Sequence, residues 1–331
     1  MIYIRVDANS EIGMGHMMRC LSIADALVAR EEKVMFLIAG SEAADVLEQR
    51  GMPYIVLNTD YKSMMSECPI LEEILTDNVK ILVDSYQVSN EYFEFLSGYG
   101  QVIYMDDVNA FEYSVDCIIN GNIYGQQIDY TSKGMLRGCK YAPLRKEFKE
   151  ARKHREPQNI LITTGGSDPF KLTEQIVQSI LEDDVLQKEQ YDVVCGKFND
   201  SYEYLCSIQE KYSNFHIHKD VKEMWKLMQT AKIAVTAGGT TMTELSCMGV
   251  PIVGFSFVDN QERITKTFFE EGYAHYGANY LTCGEKMFRE ICQALRELLE
   301  NSALCEEYST KLMLLVDGYG CERIAEQIIN M

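Results

Sequence analysis

The chain has 331 residues and a formal net charge of −19. That charge repels a polyanion over most of the surface and argues against nucleic acid as a partner, whereas an anionic small ligand needs only a local nest of backbone N–H groups and a few cations. With 47% hydrophobic and 24% charged residues, the composition is that of a globular protein large enough for two domains, each with its own core. No apolar run is long enough to span a bilayer, so no membrane partner is expected. The N-terminus has no basic stretch and no small-residue cleavage site, which predicts a cytoplasmic protein.

The first strand is predicted over 1–7 and is followed by a helix over 17–30. A strand over 33–39, a helix over 43–50 and a short strand over 54–57 come next. A helix over 70–78 leads into strands over 79–83, 102–105 and 117–119. The alternation pauses at 138–158, a polar stretch with Pro143 and Pro157 that reads as a connector. It restarts with strands over 159–164, 191–195, 215–218, 233–236 and 251–255, interleaved with helices over 170–182, 200–211, 221–230 and 241–248. The tail from about 285 to 331 reads as helical. Strand-then-helix alternation of this kind predicts parallel sheets covered on both faces. The expected fold is α/β and GT-B-like: two Rossmann-like doubly wound domains, 1–145 and 146–331, facing a cleft, with ligands beyond the carboxyl ends of the strands.

The 11 cysteines never stand in C-x-x-C spacing, so they read as reduced thiols. The 5 histidines form no H-E-x-x-H pattern, and no metal site is expected.

Two regions carry candidate chemistry. After the first strand comes Ile12-Gly13-Met14-Gly15-His16. Gly13 and Gly15 allow a tight turn and close approach of a ligand. Met18 stands where a dinucleotide fingerprint needs its third glycine, so nicotinamide and flavin cofactors are disfavoured and none is expected. His16 falls at the start of a helix, whose positive end favours a neutral imidazole able to accept a proton from water; a histidine that only caps its own helix is the alternative. Arg5 and Asp7 are two apart on the strand and share a side, as sugar or histidine ligands or as a local ion pair.

The second region holds two strand-to-helix turns. In Gly165-Gly166-Ser167-Asp168 and Gly238-Gly239-Thr240-Thr241 the glycine pairs would bare backbone N–H groups at a helix N-terminus, suited to an anion. A tight capped turn is the plainer alternative. Glu244 lies one turn further on, where a carboxylate can accept from ribose hydroxyls. Asn260 and Gln261 follow the next strand and offer side-chain amides.

Taken in order, Arg5…Asp7, Ile12-Gly13-Met14-Gly15-His16, Arg19, Val83-Asp84-Ser85-Tyr86, Asp106-Asp107, Asn120-Gly121-Asn122, Tyr141-Ala142-Pro143-Leu144-Arg145, Gly165-Gly166-Ser167-Asp168, Glu244 and Asn260-Gln261 resemble the PseG/SpsG family of nucleotide-sugar hydrolases across about residues 2–275. The second half also resembles the nucleotide-binding half of MurG-type glycosyltransferases, which implies the GT-B architecture. The resemblance implies hydrolysis of a UDP-sugar at the anomeric carbon with inversion, giving UDP and a free 2,4-diacetamido-2,4,6-trideoxy sugar for pseudaminic acid synthesis. It implies His16 as the catalytic histidine and Tyr86 as the active-site tyrosine, with Glu244 and Asn260 on UDP. Asp7 and Asn122 would orient sugar and water, and Arg145 would assist the leaving diphosphate. A GT-B glycosyltransferase using a UDP-sugar donor, and a nucleotide-sugar-binding regulator without turnover, are the competing expectations.

Overall fold

A computed structural model describes residues 1–9, 11–166, 168–197 and 199–331, the Asn260 side chain excepted. The chain divides into two compact units, residues 1–145 with 318–331, and residues 146–317.

In the first unit the strands are β1 (Ile2–Val6), β2 (Val34–Ile38), β3 (Tyr54–Val56), β4 (Val79–Asp84), β5 (Gly100–Met105), β6 (Cys117–Asn120) and β7 (Gly134–Arg137). They form a 7-stranded sheet in the order β3-β2-β1-β4-β5-β6-β7, and every pairing is parallel. β1 is buried along its whole length, as expected of a central parallel strand covered on both faces. One face carries Ile4, Val6, Phe36, Leu82 and Ile103 against the helix Gly15–Val28. The other carries Tyr3, Leu37, Ile81, Val83 and Tyr104 against Tyr92 and Phe93.

The chain leaves β1 toward β2 and β3 on one side and later returns to β4 on the other. The crevice between β1 and β4 is therefore a topological switch point, where doubly wound sheets place their ligands. The register pairs Val6 with Asp84, which sets the loop after β1 beside the end of β4.

The second unit repeats the plan. Strands β8 (Asn159–Thr163), β9 (Tyr191–Cys195), β10 (Phe215–Lys219), β11 (Ala231–Ala237), β12 (Ile252–Ser256) and β13 (Tyr276–Asn279) form a 6-stranded sheet ordered β10-β9-β8-β11-β12-β13. Its switch point lies between β8 and β11, the strands that lead into the two glycine-pair turns. The core joins Ile160, Ile162, Val193, Val235 and Phe255 to Ile176 and Ile180 of the helix Leu172–Leu181 and to Leu295 and Leu298 of the helix Lys286–Glu300.

The sequence placed the whole tail with the second half. Residues 318–331 instead pack in the first unit. Cys321, Ile324, Ala325 and Ile328 of the helix Gly320–Asn330 are buried in the core beside Cys20, Leu21 and Ala24. Each fully buried large apolar side chain there contributes roughly 1.5–3 kcal/mol, and Lys80 Nζ donates to the Ile329 carbonyl at 2.6 Å. The sequence pattern also missed β7, β13 and the helix Asn90–Ser97. The last of these is capped by the Ser89 side chain, which accepts from the Tyr92 N–H. No helix among the described residues is long and apolar enough to cross a membrane.

Candidate functional site

The loop from β1 to the helix Gly15–Val28 is shaped by its own backbone. The Asn9 side-chain oxygen accepts from the Glu11 and Ile12 N–H groups, both at 2.9 Å. Gly13 sits at φ +77°, a left-handed conformation that glycine adopts without penalty, and its N–H donates to the Asn9 carbonyl at 2.8 Å. The helix then starts at Gly15 with no side-chain cap, so its first N–H groups stay open beside His16.

His16 Nδ1 lies 2.5 Å from Asp84 Oδ1. Arg19, one turn along the helix, donates from Nε to Asp84 Oδ2 and from its second terminal nitrogen to Asp84 Oδ1, both at 2.6 Å. The Cys20 thiol donates to Asp84 Oδ2 at 3.4 Å. Burial alone would raise the Asp84 pKa, but the charge and hydrogen bonds of Arg19, together with His16, hold the carboxyl well below the usual carboxylate range. Asp84 is thus an ionised acceptor, and only a donating Nδ1–H can sit 2.5 Å from it. In the neutral imidazole that tautomer leaves the lone pair on Nε2. The 3.1 Å approach of Arg19 to His16 Nδ1 brings two donors together and is a contact without a hydrogen bond.

A second carboxylate extends the network. Asp107 accepts from Arg19 at 2.7 Å, from the Tyr86 hydroxyl at 3.0 Å and from Asn122 Nδ2 at 2.8 Å. The Tyr86 ring stands edge-on to the His16 ring with centroids 4.7 Å apart, and the residue is 51% exposed. Desolvation and Asp107 push the phenol pKa upward, so Tyr86 keeps its proton and donates. The structure therefore gathers His16, Tyr86 and Asn122 around Arg19, Asp84 and Asp107. The last three stood in the sequence motifs without a role. Arg19 lies 65 residues from Asp84 and 88 from Asp107 along the chain, and only the β1–β4–β5 adjacency joins them.

Arg5 and Asp7 do not join this group. Arg5 is 0% exposed; its Nε donates to Glu67 Oε2 at 2.7 Å and its terminal nitrogen bonds Glu67 Oε1. A further nitrogen lies 2.7 Å from Asp7 Oδ2. Asp7 accepts the Ala39 N–H on its other oxygen at 2.9 Å, and the Tyr92 hydroxyl donates to Glu67 at 3.0 Å. The pair anticipated on one side of β1 is a buried ion cluster that braces the sheet. The assignment of Arg5 to a ligand fails because no surface of it is left to touch one.

In the second unit the two glycine-pair turns differ. Gly165, at φ +92°, and Gly166 are exposed, but the helix that follows begins at Leu172 and its N–H groups are occupied. Asp168 accepts from Leu172 N at 2.7 Å and from Thr173 N at 2.8 Å. The helix end expected to bind an anion there already binds this carboxylate. Ser167 lies outside the described residues.

The second turn is open. Gly239 has φ +154°, and the helix Thr240–Met248 has no side-chain cap and no acidic residue in its first turn, which leaves an anion-binding end. Thr240 is exposed, Thr241 and Glu244 are half-buried, and Thr240 and Glu244 share a face at i, i+4. Gly238 is packed so tightly that a Cβ would lie 2.6 Å from the Gln261 carbonyl oxygen. That contact brings the start of the helix Asp259–Glu270 against the turn. Gln261 Oε1 accepts from Phe257 N at 3.2 Å, and the Asn260 side chain is not described. At the same rim Phe170, 39% exposed, meets Tyr280 with centroids 5.5 Å apart and Phe257 with centroids 6.2 Å apart, an aromatic edge that the sequence reading missed. Arg145 is half-buried at the end of the first unit's leading segment. Among the described residues no group of three or more His, Cys, Asp or Glu is arranged to hold a metal ion.

Comparison with known proteins adds relatives to this geometry. The Bacillus subtilis spore coat polysaccharide biosynthesis protein SpsG is 26% identical over 346 residues, covering 97% of this chain and 95% of its own. The Campylobacter jejuni UDP-2,4-diacetamido-2,4,6-trideoxy-beta-L-altropyranose hydrolase is 22% identical over 282 residues, covering 82% of this chain and 97% of its own. An uncharacterized protein of Methanocaldococcus jannaschii is 26% identical over 308 residues, 82% of this chain but only 61% of the relative's length. Among solved structures, MurG of Acinetobacter baumannii superposes with a TM-score of 0.71 over 100% of this chain and 99% of its own, at 15% identity. The chain therefore has the GT-B fold, and its residues 160–310 match the glycosyltransferase family 28 C-terminal domain.

Proposed function

We propose that this protein hydrolyses a UDP-sugar at the anomeric carbon with inversion, releasing UDP and a free 2,4-diacetamido-2,4,6-trideoxy sugar for nonulosonic acid and surface polysaccharide synthesis. The observation that carries the reading is the His16–Asp84 hydrogen bond of 2.5 Å. It holds the imidazole in the tautomer whose Nε2 can take a proton from water. The similarity to a UDP-sugar hydrolase over 82% of this chain supports a UDP-sugar as the substrate class.

The reaction balances without a further reagent. Nε2 of His16 takes a proton from water, the water oxygen bonds to C1, and the bond from C1 to the diphosphate oxygen breaks. UDP leaves with that electron pair. Each unit contributes its own part. In the first, Tyr86 and Asn122 orient sugar and water, both fixed on Asp107. In the second, the open end at Gly238–Thr241 receives the diphosphate, where preorganised N–H donors stabilise developing charge. Glu244 accepts from the ribose, and Asn260 and Gln261 complete the nucleotide site. The faces of Phe170 and Tyr280 offer the base a stacking surface.

A second reading, transfer to an acceptor hydroxyl, is favoured by the family 28 match. One experiment separates them: incubation with a UDP-sugar in heavy-oxygen water. Free sugar labelled at C1 supports hydrolysis. Release that waits for an added acceptor shows transfer, and binding without turnover in either case shows a regulator.

A further inference from the structure

We propose that the cavity at the amino-terminal ends of β8, β11 and β12 binds a small amphipathic monoanion, a medium-chain carboxylate in chemical class. It lies at the opposite end of these strands from the glycine-pair turns and is independent of the nucleotide-sugar reading. The cavity measures about 360 Å³, within the range of small-molecule sites.

Its walls combine an apolar surface with one uncompensated cation. Pro157, Ile233, Pro251, Leu298 and Leu299 supply the apolar part, and Arg155 supplies the charge. The guanidiniums of Arg5 and Arg19 face carboxylates: Arg5 meets Glu67 and Asp7, and Arg19 meets Asp84 and Asp107. Among the described residues Arg155 has only carbonyl partners, donating to Gly249 O at 2.7 Å and to Ala231 O. Its Nε–H is buried with no acceptor among the described residues. Burial pushes the Arg155 pKa down to about 10, the mark of a charge held with little compensation.

The other charged groups in the lining do not supply that compensation. Lys232 is engaged with Glu189 at 2.5 Å. Glu306 is exposed, where solvent and salt screen its charge. A carboxylate head at Arg155 with an alkyl chain along Ile233, Leu298 and Leu299 satisfies both halves of the lining. A neutral alkane leaves the cation unpaired, and an ammonium is repelled by it.

The test is calorimetric titration of octanoate into the full chain, with octanol and octylamine as neutral and cationic counterparts. The expected result is one saturable octanoate site, with octylamine not binding and octanol binding more weakly. In Arg155→Gln the affinity falls about tenfold or more, the loss of one charged hydrogen bond. In Leu299→Trp, which fills the apolar end, binding disappears. The proposal is overturned if octanoate shows no saturable binding, if octanol binds as tightly, or if both variants bind octanoate as the parent does. Should Arg155→Gln fail to fold, Leu299→Trp and the three-ligand comparison still decide.

Discussion

Asp84 is shared by His16 and Arg19. One buried carboxylate oxygen lies 2.5 Å from the imidazole Nδ1 and 2.6 Å from a guanidinium nitrogen, while the other oxygen takes Arg19 Nε. A permanent cation thus keeps the acid ionised, and the ionised acid fixes the ring.

If Nε2 of His16 is the proton acceptor, His16→Asn lowers kcat by about 10²–10⁴ and leaves UDP affinity close to that of the parent, because the proposed UDP residues belong to the other unit. Single-turnover kinetics with UDP calorimetry check this. Turnover near the parent's removes His16 from the mechanism.

Asp84→Asn removes the anion that selects the tautomer. Turnover falls on the order of 10²–10⁴, with the substrate KM little changed. The pH–rate profile of the residual activity shifts relative to the parent, whereas a merely structural role would leave the profile in place and lower only the folded fraction.

The depressed Asp84 pKa also sets an acid limit. A carboxyl whose folded pKa is lowered contributes stability above its unfolded value, about 3.9, and loses that contribution as pH falls below it toward the folded value. Its contribution is therefore constant from pH 7 to about 5 and declines below about 4. Denaturant midpoints measured from about pH 5 down to about 3 show a shallower acid slope in Asp84→Asn than in the parent.

Glu67→Gln tests the buried cluster at Arg5. Removing the Glu67 charge breaks a fully buried pair and leaves Asp7 as the carboxylate facing Arg5, which destabilises the fold by about 3–5 kcal/mol. UDP affinity of the folded fraction stays unchanged. Urea unfolding and UDP titration read the two effects separately.

Gly239→Ala challenges the open helix end. Its φ of +154° is costly for any side chain, about 1–3 kcal/mol of strain, and relieving it turns the N–H groups away from the anion. UDP binds at least tenfold more weakly while UDP-independent folding persists. Undiminished UDP affinity places the diphosphate elsewhere.

Much of this was legible from residue order. The buried parallel strands write themselves as apolar runs such as Ile160-Leu161-Ile162, and Gly13 and Gly239 mark turns that few other residues can make. The sequence also put Arg5 and Asp7 on one side of β1, but spacing carries no information on burial, so the complete enclosure of Arg5 was not foreseen. Asp168 was read as part of an anion turn although it is itself the anion at that helix end. The bridge from Arg19 to Asp84 and Asp107 was invisible because it depends on which strands become neighbours. The return of residues 318–331 depends on a docking partner some 300 positions upstream, Leu21 against Ile324 in one core.

The interrupted first unit has a consequence for synthesis. The apolar flank of the helix Gly15–Val28 is covered by the helix Gly320–Asn330, so it waits bare while residues 146–317, 172 in all, leave the ribosome. At about 5–20 residues per second that interval is roughly 9–34 s. The later-made unit can complete itself first, and the earlier-made one stays in need of shelter until the final helix arrives.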